Sequence, residues 1–467
     1  MTAVSASRLQ PETLSLVLDL VRRWEDRWGA VSPHPSLALE SDALGDFLER
    51  YVARLHDNYP FFHPRYAGQM LKPPHPVAVA GYLAAMLINP NNHALDGGPA
   101  TGAMEKEVVA DLLRMFGFPE DGLGHLTTSG TFANLEALWV ARQLHPDKRI
   151  LVSDQAHYTH SRMAGVLRMP IDVVPSDERG RMDLDALETA LRKEDVGTVV
   201  ATAGTTGLGA VDPIADLVPL LARYGVRLHV DAAYGGFFRT IAAADGALRD
   251  ETARHLLAIA GADSVVVDPH KHGLQPYGCG CVLFREPAVG RLYKHDSPYT
   301  YFTSDELHLG EISLECSRAG AAAGALWLTL QAFPLATDGL GAIVAAGRRA
   351  AVRFYARIAG STVLAPLLEP ELDIVAYYPL PAAEFDASTI DRASQRLFES
   401  AMADPSDPVF LSVLRVPPRM LGRSAGEGDD VRVLRSVLMK PEHETAVDWL
   451  VMRLETLAHA AEASNGA

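Results

Sequence analysis

The sequence predicts an α/β protein with a mostly parallel central sheet covered by helices on both faces, together with an N-terminal segment and a smaller C-terminal α+β domain. Short β-branched runs recur through the middle of the chain, and helical periods lie between several of them. Strands that alternate with helices form parallel sheets buried on both faces, and such strands are apolar along their whole length. After about residue 335 this alternation stops, which indicates the change of domain.

The composition is that of a globular protein. The chain has 467 residues, enough for two or three structural units. Hydrophobic residues make up 48% and charged residues 21%, which excludes a disordered or collagen-like chain. The formal net charge of −16 argues against broad contact with nucleic acid or with an anionic membrane, because both require clustered positive charge. We therefore expect neither as a partner.

Cysteine usage and the first residues indicate a reducing compartment. Three cysteines are too few, and odd in number, for a disulfide framework. Arg8, Glu12 and Asp19 interrupt the first 21 residues, so the apolar core of a signal peptide is not found there. The predicted location is the cytoplasm.

The predicted elements follow chain order. Residues 1–90 form an N-terminal segment that is helical and irregular, because five prolines interrupt it between positions 60 and 76. Residues 91–335 form the large domain. Its strands are predicted by six runs: Ile150–Val152, Ile171–Val174, Thr198–Thr202, Val226–Val230, Ser264–Val267 and Cys281–Phe284.

Two helical periods in the large domain follow residues that favour helix starts. Asp183 is a plausible N-cap, and Pro213 is a residue favoured in a first turn. The apolar faces behind them consist of Leu184, Leu187 and Leu191, and of Ile214, Leu217 and Leu221. Both helices are therefore expected to cover the sheet.

The end of the large domain is an uncharged stretch from 319 to 337. It is rich in Ala and Gly and contains Pro334, so we expect a buried helix and its exit rather than a membrane span. Residues 336–467 form the predicted small C-terminal domain. There a helix rich in Ala and Arg precedes two strand-like runs, Ile374–Tyr378 and Val431–Met439.

Polar residues follow the predicted strands. In open α/β sheets, ligands bind outside the carboxyl ends of the strands. The residues found just after strand runs are His157, Thr206, Asp231 and Lys271. The sequence therefore predicts that an imidazole, an anion and a cation meet at one sheet edge.

A loop of Ser129, Gly130 and Thr131 precedes a helical run. Backbone N–H groups, two hydroxyls and the positive end of a helix dipole make such a loop a phosphate-binding site. The alternative is an ordinary N-cap.

Three further residues each have a functional and a structural interpretation. Asp231 after a buried strand needs a partner, and it is suited to holding a proton on a pyridine nitrogen or to capping the next helix. Lys271, if partly desolvated, attacks a carbonyl to form a Schiff base; otherwise it is a surface lysine. His157 stacks on a ring, handles a proton, or is structural.

No metal site is expected. His270 and His272 lack a third ligand at suitable spacing, and Cys279 lies too close to Cys281 for a zinc knuckle. The sequence also lacks a P-loop and the His-Glu-x-x-His, Gly-x-Ser-x-Gly and Gly-x-Gly-x-x-Gly motifs.

Five motifs in order resemble the group II pyridoxal-phosphate-dependent amino-acid decarboxylases, which include aromatic amino-acid, glutamate and bacterial tyrosine decarboxylases. The likeness extends from about Phe62 to Met439. The motifs are Thr-Thr-Ser-Gly-Thr-Phe-Ala-Asn (127–134), Ala-His-Tyr (156–158), Ala-Thr-Ala-Gly-Thr-Thr (201–206), Val-Asp-Ala-Ala-Tyr-Gly-Gly (230–236) and Asp-Pro-His-Lys (268–271).

The resemblance implies fold type I of the pyridoxal-phosphate-dependent transferases, with pyridoxal 5′-phosphate as cofactor. Lys271 would bind the cofactor aldehyde, Asp231 would pair with the pyridine nitrogen, and His157 would stack on the ring. The other implied contacts are Ala233 on the second ring face, Thr206 near the ring with Asp212 supporting its loop, and Ser129, Gly130, Thr131 and His270 at the phosphate.

The resemblance also implies a homodimer with shared active sites. The segment 1–90 would wrap on the partner, and Ser317 would reach the phosphate of the neighbouring subunit. Some residues depart from the family pattern. Thr128-Ser129-Gly130 stands where many members have Ser-Gly-Gly, Phe132 where Glu is common, and His272 where Trp or Met is frequent. These departures affect local contacts of the cofactor.

The activity implied by the resemblance is decarboxylation of an L-amino acid to its amine. Tyr299, or in its place Tyr301, would return the proton to Cα; the alternative is that both are packing aromatics. Residues 89–93 and 99–101 resemble the tyrosine-decarboxylase branch. An aromatic substrate is therefore expected, with Asn92 and His93 as tentative substrate contacts.

Several alternatives remain open. Polar Asn92 and His93 also suit glutamate, aspartate or a sulfinate analogue. A phosphosphingosine-type C–C lyase shares His-Lys-x-Gly-x-x-Pro-x-Gly (270–278), and an aldehyde-forming oxidative deaminase uses the same cofactor. Two further alternatives are an aminotransferase, in which Arg318 would bind the substrate carboxylate, and a binding protein without turnover.

Overall fold

A computed structural model describes residues 8–39, 41–94, 96–294, 312–380, 385–422 and 428–463 of the chain. Its helices are α1 (Pro11–Glu25), α2 (Ser41–Leu55), α3 (Pro76–Ile88), α4 (Pro99–Phe116), α5 (Gly130–Leu144), α6 (Thr159–Leu167), α7 (Leu184–Leu191), α8 (Ile214–Tyr224), α9 (Asp250–Leu257), α10 (Gly290–Tyr293), α11 (Gly320–Ala332), α12 (Leu340–Ala359), α13 (Ala387–Ala403) and α14 (His443–Ala463). Its strands are β1 (Leu123–Thr127), β2 (Arg149–Ser153), β3 (Ile171–Val174), β4 (Val196–Thr202), β5 (Arg227–Asp231), β6 (Ser264–Val267), β7 (Gly280–Phe284), β8 (Leu364–Pro366), β9 (Ile374–Pro379), β10 (Ser412–Val416) and β11 (Val431–Val437).

Seven strands form the central sheet in the order β1-β7-β6-β5-β4-β2-β3. The pairs among β2, β3, β4, β5 and β6 are parallel, and only β7 runs antiparallel to its neighbours β6 and β1. The predicted mostly parallel α/β sheet is therefore confirmed. Because β7 is antiparallel to both β6 and β1, β1 points the same way as the parallel strands.

Helices cover both faces of this sheet, as predicted. Successive residues of a strand point to opposite faces. Leu151 and Val199 belong to the apolar cluster that contains residues of α4, α7 and α8. Their neighbours Ile150, Val152 and Val200 belong to a different cluster, which contains residues of α5 and α6. The central strands are thus buried from both sides.

The predicted helix starts agree with the structure. The Asp183 carboxylate accepts the backbone N–H of Ala186 at 2.8 Å and caps α7. Pro213 directly precedes α8. The uncharged stretch forms the buried helix α11, which packs closely on α3: a Cβ at Gly81 would lie 3.1 Å from the Cα of Ala325. Within the described part of the chain, no helix is both long and apolar enough to cross a membrane.

The C-terminal residues form a second sheet, antiparallel throughout, in the order β10-β11-β9-β8. Phe354 of α12, Leu397 of α13 and Leu450 of α14 pack on its buried residues. A small α+β arrangement was predicted here, although β8 and β10 were not among the predicted strands. The chain divisions at 90 and 335 stay predictions.

One buried ion-pair network joins the C-terminal residues to the large sheet. Glu371, only 4% exposed, accepts Arg181 Nε at 2.7 Å, the hydroxyl of Thr252 at 3.2 Å and the backbone N–H of Val211 at 3.3 Å. Arg181 is equally buried and also donates to Glu251. Removal of Glu371 therefore leaves interior donors without an acceptor.

We expect Glu371→Ala to lower the free energy of unfolding by about 3 kcal/mol, because breaking a buried pair leaves a desolvated charge. The matched control is Glu369→Ala, since the Glu369 side chain is 51% exposed and pairs with Arg249 at the surface. That change is expected to cost less than about 1 kcal/mol. Urea unfolding of both variants measures the difference, and equal losses would contradict the prediction.

Candidate active site

The carboxyl ends of β1, β2, β4, β5 and β6 meet at one edge of the central sheet, where a cavity of about 190 Å³ opens. Every cofactor-binding residue predicted from the sequence except Ser317 lies in its wall. The lining residues are Ser129, Gly130, Thr131, Asn134, His157, Thr159, Thr202, Gly204, Thr206, Asp231, Ala233, Tyr234, Asp268, His270 and Lys271. The topology thus brings together residues that are far apart in the chain.

The phosphate-loop candidate lies at the N-terminus of α5, a helix of 15 residues. Ser129 is its N-cap, and its hydroxyl accepts the backbone N–H of Phe132 at 3.2 Å. Gly130 has no room for a side chain, because an added Cβ would lie 2.5 Å from a carboxylate oxygen of Asp268. The N–H groups at the start of the helix and the helix dipole make this end of the cavity suited to an anion.

Asp231 ends β5 and is 5% exposed. His160 Nε2 lies 2.9 Å and Asn134 Nδ2 lies 3.3 Å from its Oδ2, and the backbone N–H of Ala233 donates to Oδ1 at 3.1 Å. Burial alone would raise the pKa of Asp231, but the His160 hydrogen bond and the nearby Lys271 together lower it below its usual range. Asp231 is therefore an anion within the cavity wall.

Lys271 follows β6 and faces the same cavity. Its Nζ lies 3.1 Å from Asp268 Oδ2, and its side chain is 21% exposed, against 4% for Asp268. The lysine is therefore accessible while its carboxylate partner is buried. This places a primary amine where a small carbonyl ligand has access.

Two histidines of the cavity are neutral donors or acceptors near pH 7. His157 Nδ1 accepts the backbone N–H of Thr159 at 3.2 Å, so its proton lies on Nε2. His270 Nδ1 lies 2.7 Å from the carbonyl oxygen of Cys279 and donates to it. Burial lowers the pKa of both imidazoles.

The loop that carries Thr206 is supported by Asp212, whose carboxylate accepts the backbone N–H groups of Thr202 at 2.6 Å and Met182 at 2.7 Å. Burial raises the pKa of Asp212 to about 7. Gly204 in this loop has φ of +95°, a left-handed conformation that favours glycine.

The predicted substrate contacts do not line this cavity. The buried Asn92 amide donates to Glu105 at 2.6 Å and accepts the hydroxyl of Thr101 at 2.6 Å. His93 Nδ1 lies 3.0 Å from the carbonyl oxygen of Cys316. Their roles towards a substrate stay predictions.

Ser317 and the predicted proton donor are the remaining candidates. The Ser317 hydroxyl accepts Asn91 Nδ2 at 3.1 Å, outside the cavity wall of this chain. Tyr299 and its alternative Tyr301 lie outside the described residues. Their proposed roles in cofactor binding and protonation stay predictions.

Sequence reasoning missed three residues that support the cavity: Asn134, His160 and Asp268. Asp268 is the first residue of the motif that contains Lys271, so the sequence motif could have identified it. Asn134 lies on α5 and His160 on α6. Only the folded arrangement of the two helices shows that both side chains reach Asp231.

Comparison with known proteins gives consistent results. A family model described as "Pyridoxal-dependent decarboxylase conserved domain" matches residues 56–378. The L-tyrosine decarboxylase of Enterococcus faecium is 28% identical over 470 aligned positions, covering 78% of this chain and 77% of the relative. A probable L-tyrosine/L-aspartate decarboxylase of Methanothrix thermoacetophila is 31% identical over 346 positions, covering 73% and 83%. The crystal structure of mouse CSAD has the same fold, with TM-score 0.76, 24% identity and coverage of 96% and 99%.

The cavity residues fit pyridoxal phosphate. The N-terminus of α5 provides N–H groups for its phosphate, Lys271 an amine for its aldehyde, and Asp231 an anion for its ring nitrogen. The Thr202 hydroxyl, which lines the same cavity, is buried and has no hydrogen-bond partner among the described residues. The donor set is thus complementary to an anionic, aromatic aldehyde.

We expect Gly130→Ala to weaken cofactor binding, because the new methyl group displaces either Asp268 or the start of α5. Overpacking costs about 1–3 kcal/mol, so the dissociation constant of pyridoxal phosphate rises roughly 10- to 100-fold. Equilibrium titration of cofactor-free protein, followed by absorbance, measures it.

The control is Gly165→Ala, on the exposed side of α6, where an added Cβ meets nothing within 4 Å. This change is expected to stabilise the helix by about 1 kcal/mol and to leave cofactor affinity unaltered. Wild-type affinity in the Gly130 variant would show that the contact with Asp268 is unimportant.

Proposed function

Because the chain belongs to the pyridoxal-dependent decarboxylase family, we propose that it releases CO₂ from an aromatic, tyrosine-like L-amino acid and yields the corresponding amine. The chain is a pyridoxal-phosphate-dependent carboxy-lyase. The observation that supports the proposal most directly is the single cavity that Lys271, Asp231 and the N-terminus of α5 share.

When bound, pyridoxal phosphate supplies an electron sink for the electron pair that the departing CO₂ leaves behind. We assign Lys271 as the covalent anchor of the cofactor and Asp231 as the anion that keeps a proton at its ring nitrogen. His157, with its proton on Nε2, presents a neutral imidazole to the ring side of the cavity. Tyr299 is our candidate for returning a proton to Cα.

The aromatic preference is supported by the named relatives and by the tyrosine-branch likeness of residues 89–93. One relative is named for both tyrosine and aspartate, which favours an acidic substrate as the second candidate. His93 is the residue of this stretch that we assign to substrate selection, because it is only partly buried, whereas Asn92 is buried and its amide bonds Glu105 and Thr101.

The test is a panel of L-amino acids incubated with the purified holoenzyme, with amine, CO₂ and aldehyde all measured. We expect tyramine and CO₂ in equal amounts from tyrosine. Turnover of aspartate or glutamate alone would replace the aromatic proposal with the acidic one. Aldehyde in place of amine would assign oxidative deamination or C–C cleavage instead.

Lys271→Ala is expected to remove all product formation, because no other described amine lines the cavity. Lys148→Ala is the matched control, since Lys148 directly precedes β2 at the opposite edge of the sheet. Full activity of the Lys271 variant would contradict the assignment.

We also propose that two copies of this chain associate through α1 and α2 and share active sites. Both helices expose large apolar side chains, among them Leu16 at 55% and Leu48 at 53%, and Trp28 just after α1 is 77% exposed. Exposed apolar surfaces of this extent mark association sites. Ser317, which lies outside the cavity of its own chain, is our candidate for contacting the partner's cofactor.

We expect Leu16→Glu combined with Leu48→Glu to convert the dimer to a monomer of 50.4 kDa. Sedimentation velocity measures the mass. Met452→Glu on α14, at a side chain that is 56% exposed, is the control and leaves the dimer intact. A dimer that persists in the double variant would overturn the proposed interface.

A further inference from the structure

We propose that His160 is a positioning residue for Asp231: its Nε2–H group holds the carboxylate in place at the end of β5 and keeps it ionised for the cofactor. The inference rests on the proposed use of Asp231 at the ring nitrogen. No motif of the sequence marked this histidine, and it does not line the cavity.

The contact is close and excluded from water. His160 Nε2 lies 2.9 Å from Asp231 Oδ2, and the two side chains are 0% and 6% exposed. A hydrogen bond to a carboxylate is stronger than one between neutral groups, and low local dielectric strengthens it further. His160 is therefore placed to influence both the charge and the orientation of Asp231.

The surroundings of His160 identify which of its ring nitrogens donates. Its Nδ1 is buried and has no hydrogen-bond partner among the described residues. A proton there would be an unsatisfied buried donor, which is unfavourable. The proton that faces Asp231 therefore lies on Nε2, and His160 donates it to the carboxylate.

A second chain of hydrogen bonds reaches the same carboxylate oxygen. His229 Nδ1 lies 2.9 Å from the hydroxyl of Ser264, and His229 Nε2 lies 2.8 Å from Asn134 Oδ1. Burial lowers the pKa of His229 to about 3, so this imidazole is neutral. Its Nε2–H donates to Asn134, which in turn directs the Asn134 NH₂ group towards Asp231 at 3.3 Å.

The two donors are not equivalent. His160 is 0.4 Å closer to Oδ2 than Asn134 is. Without His160, Asp231 keeps one longer side-chain hydrogen bond and the backbone N–H of Ala233. Burial, which favours the protonated carboxyl, is then less well opposed. Loss of His160 should thus weaken cofactor binding without removing any group that touches the cofactor.

The first experiment measures the dissociation constant of pyridoxal phosphate for cofactor-free variants. We expect His160→Leu to raise it roughly 10- to 100-fold, as for a lost hydrogen bond to a charged group. His160→Gln, whose amide nitrogen replaces Nε2 as donor, should recover most of that loss. His145→Leu, at the other end of α5, should leave the constant unchanged. Equal affinities for His160→Leu and wild type would overturn the proposal.

The second experiment uses the cofactor-free wild type and does not depend on activity. Histidine-selective ¹⁵N NMR should show His160, assigned through the Gln variant, with a proton on Nε2 that is hydrogen-bonded to Asp231. A ring that carries its proton on Nδ1 alone would overturn the proposal, even if the Leu variant fails to fold. Absence of pyridoxal phosphate binding by the wild type would instead contradict the proposed function.

Discussion

A carboxylate buried at the end of a strand is the constraint around which this protein is arranged. Asp231 is an anion with little access to water, and such a group is stable only while donors surround it. Three elements supply them: α5 contributes Asn134, α6 contributes His160, and the turn after β5 contributes a backbone N–H. The ionised state of Asp231 therefore depends on the packing of both helices on one face of the sheet.

The sheet order explains how distant residues converge. Strand β5 lies between β4 and β6, and all three run parallel. Their carboxyl ends deliver Thr206, Asp231 and Lys271 to one place. Strand β1 points the same way, because β7 between β1 and β6 is antiparallel to both. The helix α5 follows β1 in the chain, so its N-terminus reaches the same edge. Contact between Gly130 and Asp268 then joins the anion-binding loop to the segment that carries the lysine.

The sequence was sufficient to predict the parallel strands, because each lies within a short, mostly apolar run between helical periods. It was insufficient for β1, since Gly124 and His125 interrupt its apolar pattern; Gly124 is needed there, as a Cβ would lie 2.8 Å from the carbonyl oxygen of Val282. Polar residues at strand ends identified His157, Thr206, Asp231 and Lys271, and the loop 129–131 identified the anion-binding end of the cavity. His160 was not identifiable, because its contact with Asp231 depends on where α6 lies beside α5, and no local sequence pattern encodes that position.

The Arg181–Glu371 pair bears on whether the large sheet is an autonomous folding unit. Arg181 comes from the segment between β3 and α7, whereas Glu371 comes from the segment before β9. A fragment truncated at residue 335 would keep the buried guanidinium and lose one of its two carboxylate partners. The C-terminal polypeptide is in this sense an intramolecular scaffold, and expression of the cofactor-binding part by itself would yield a destabilised product.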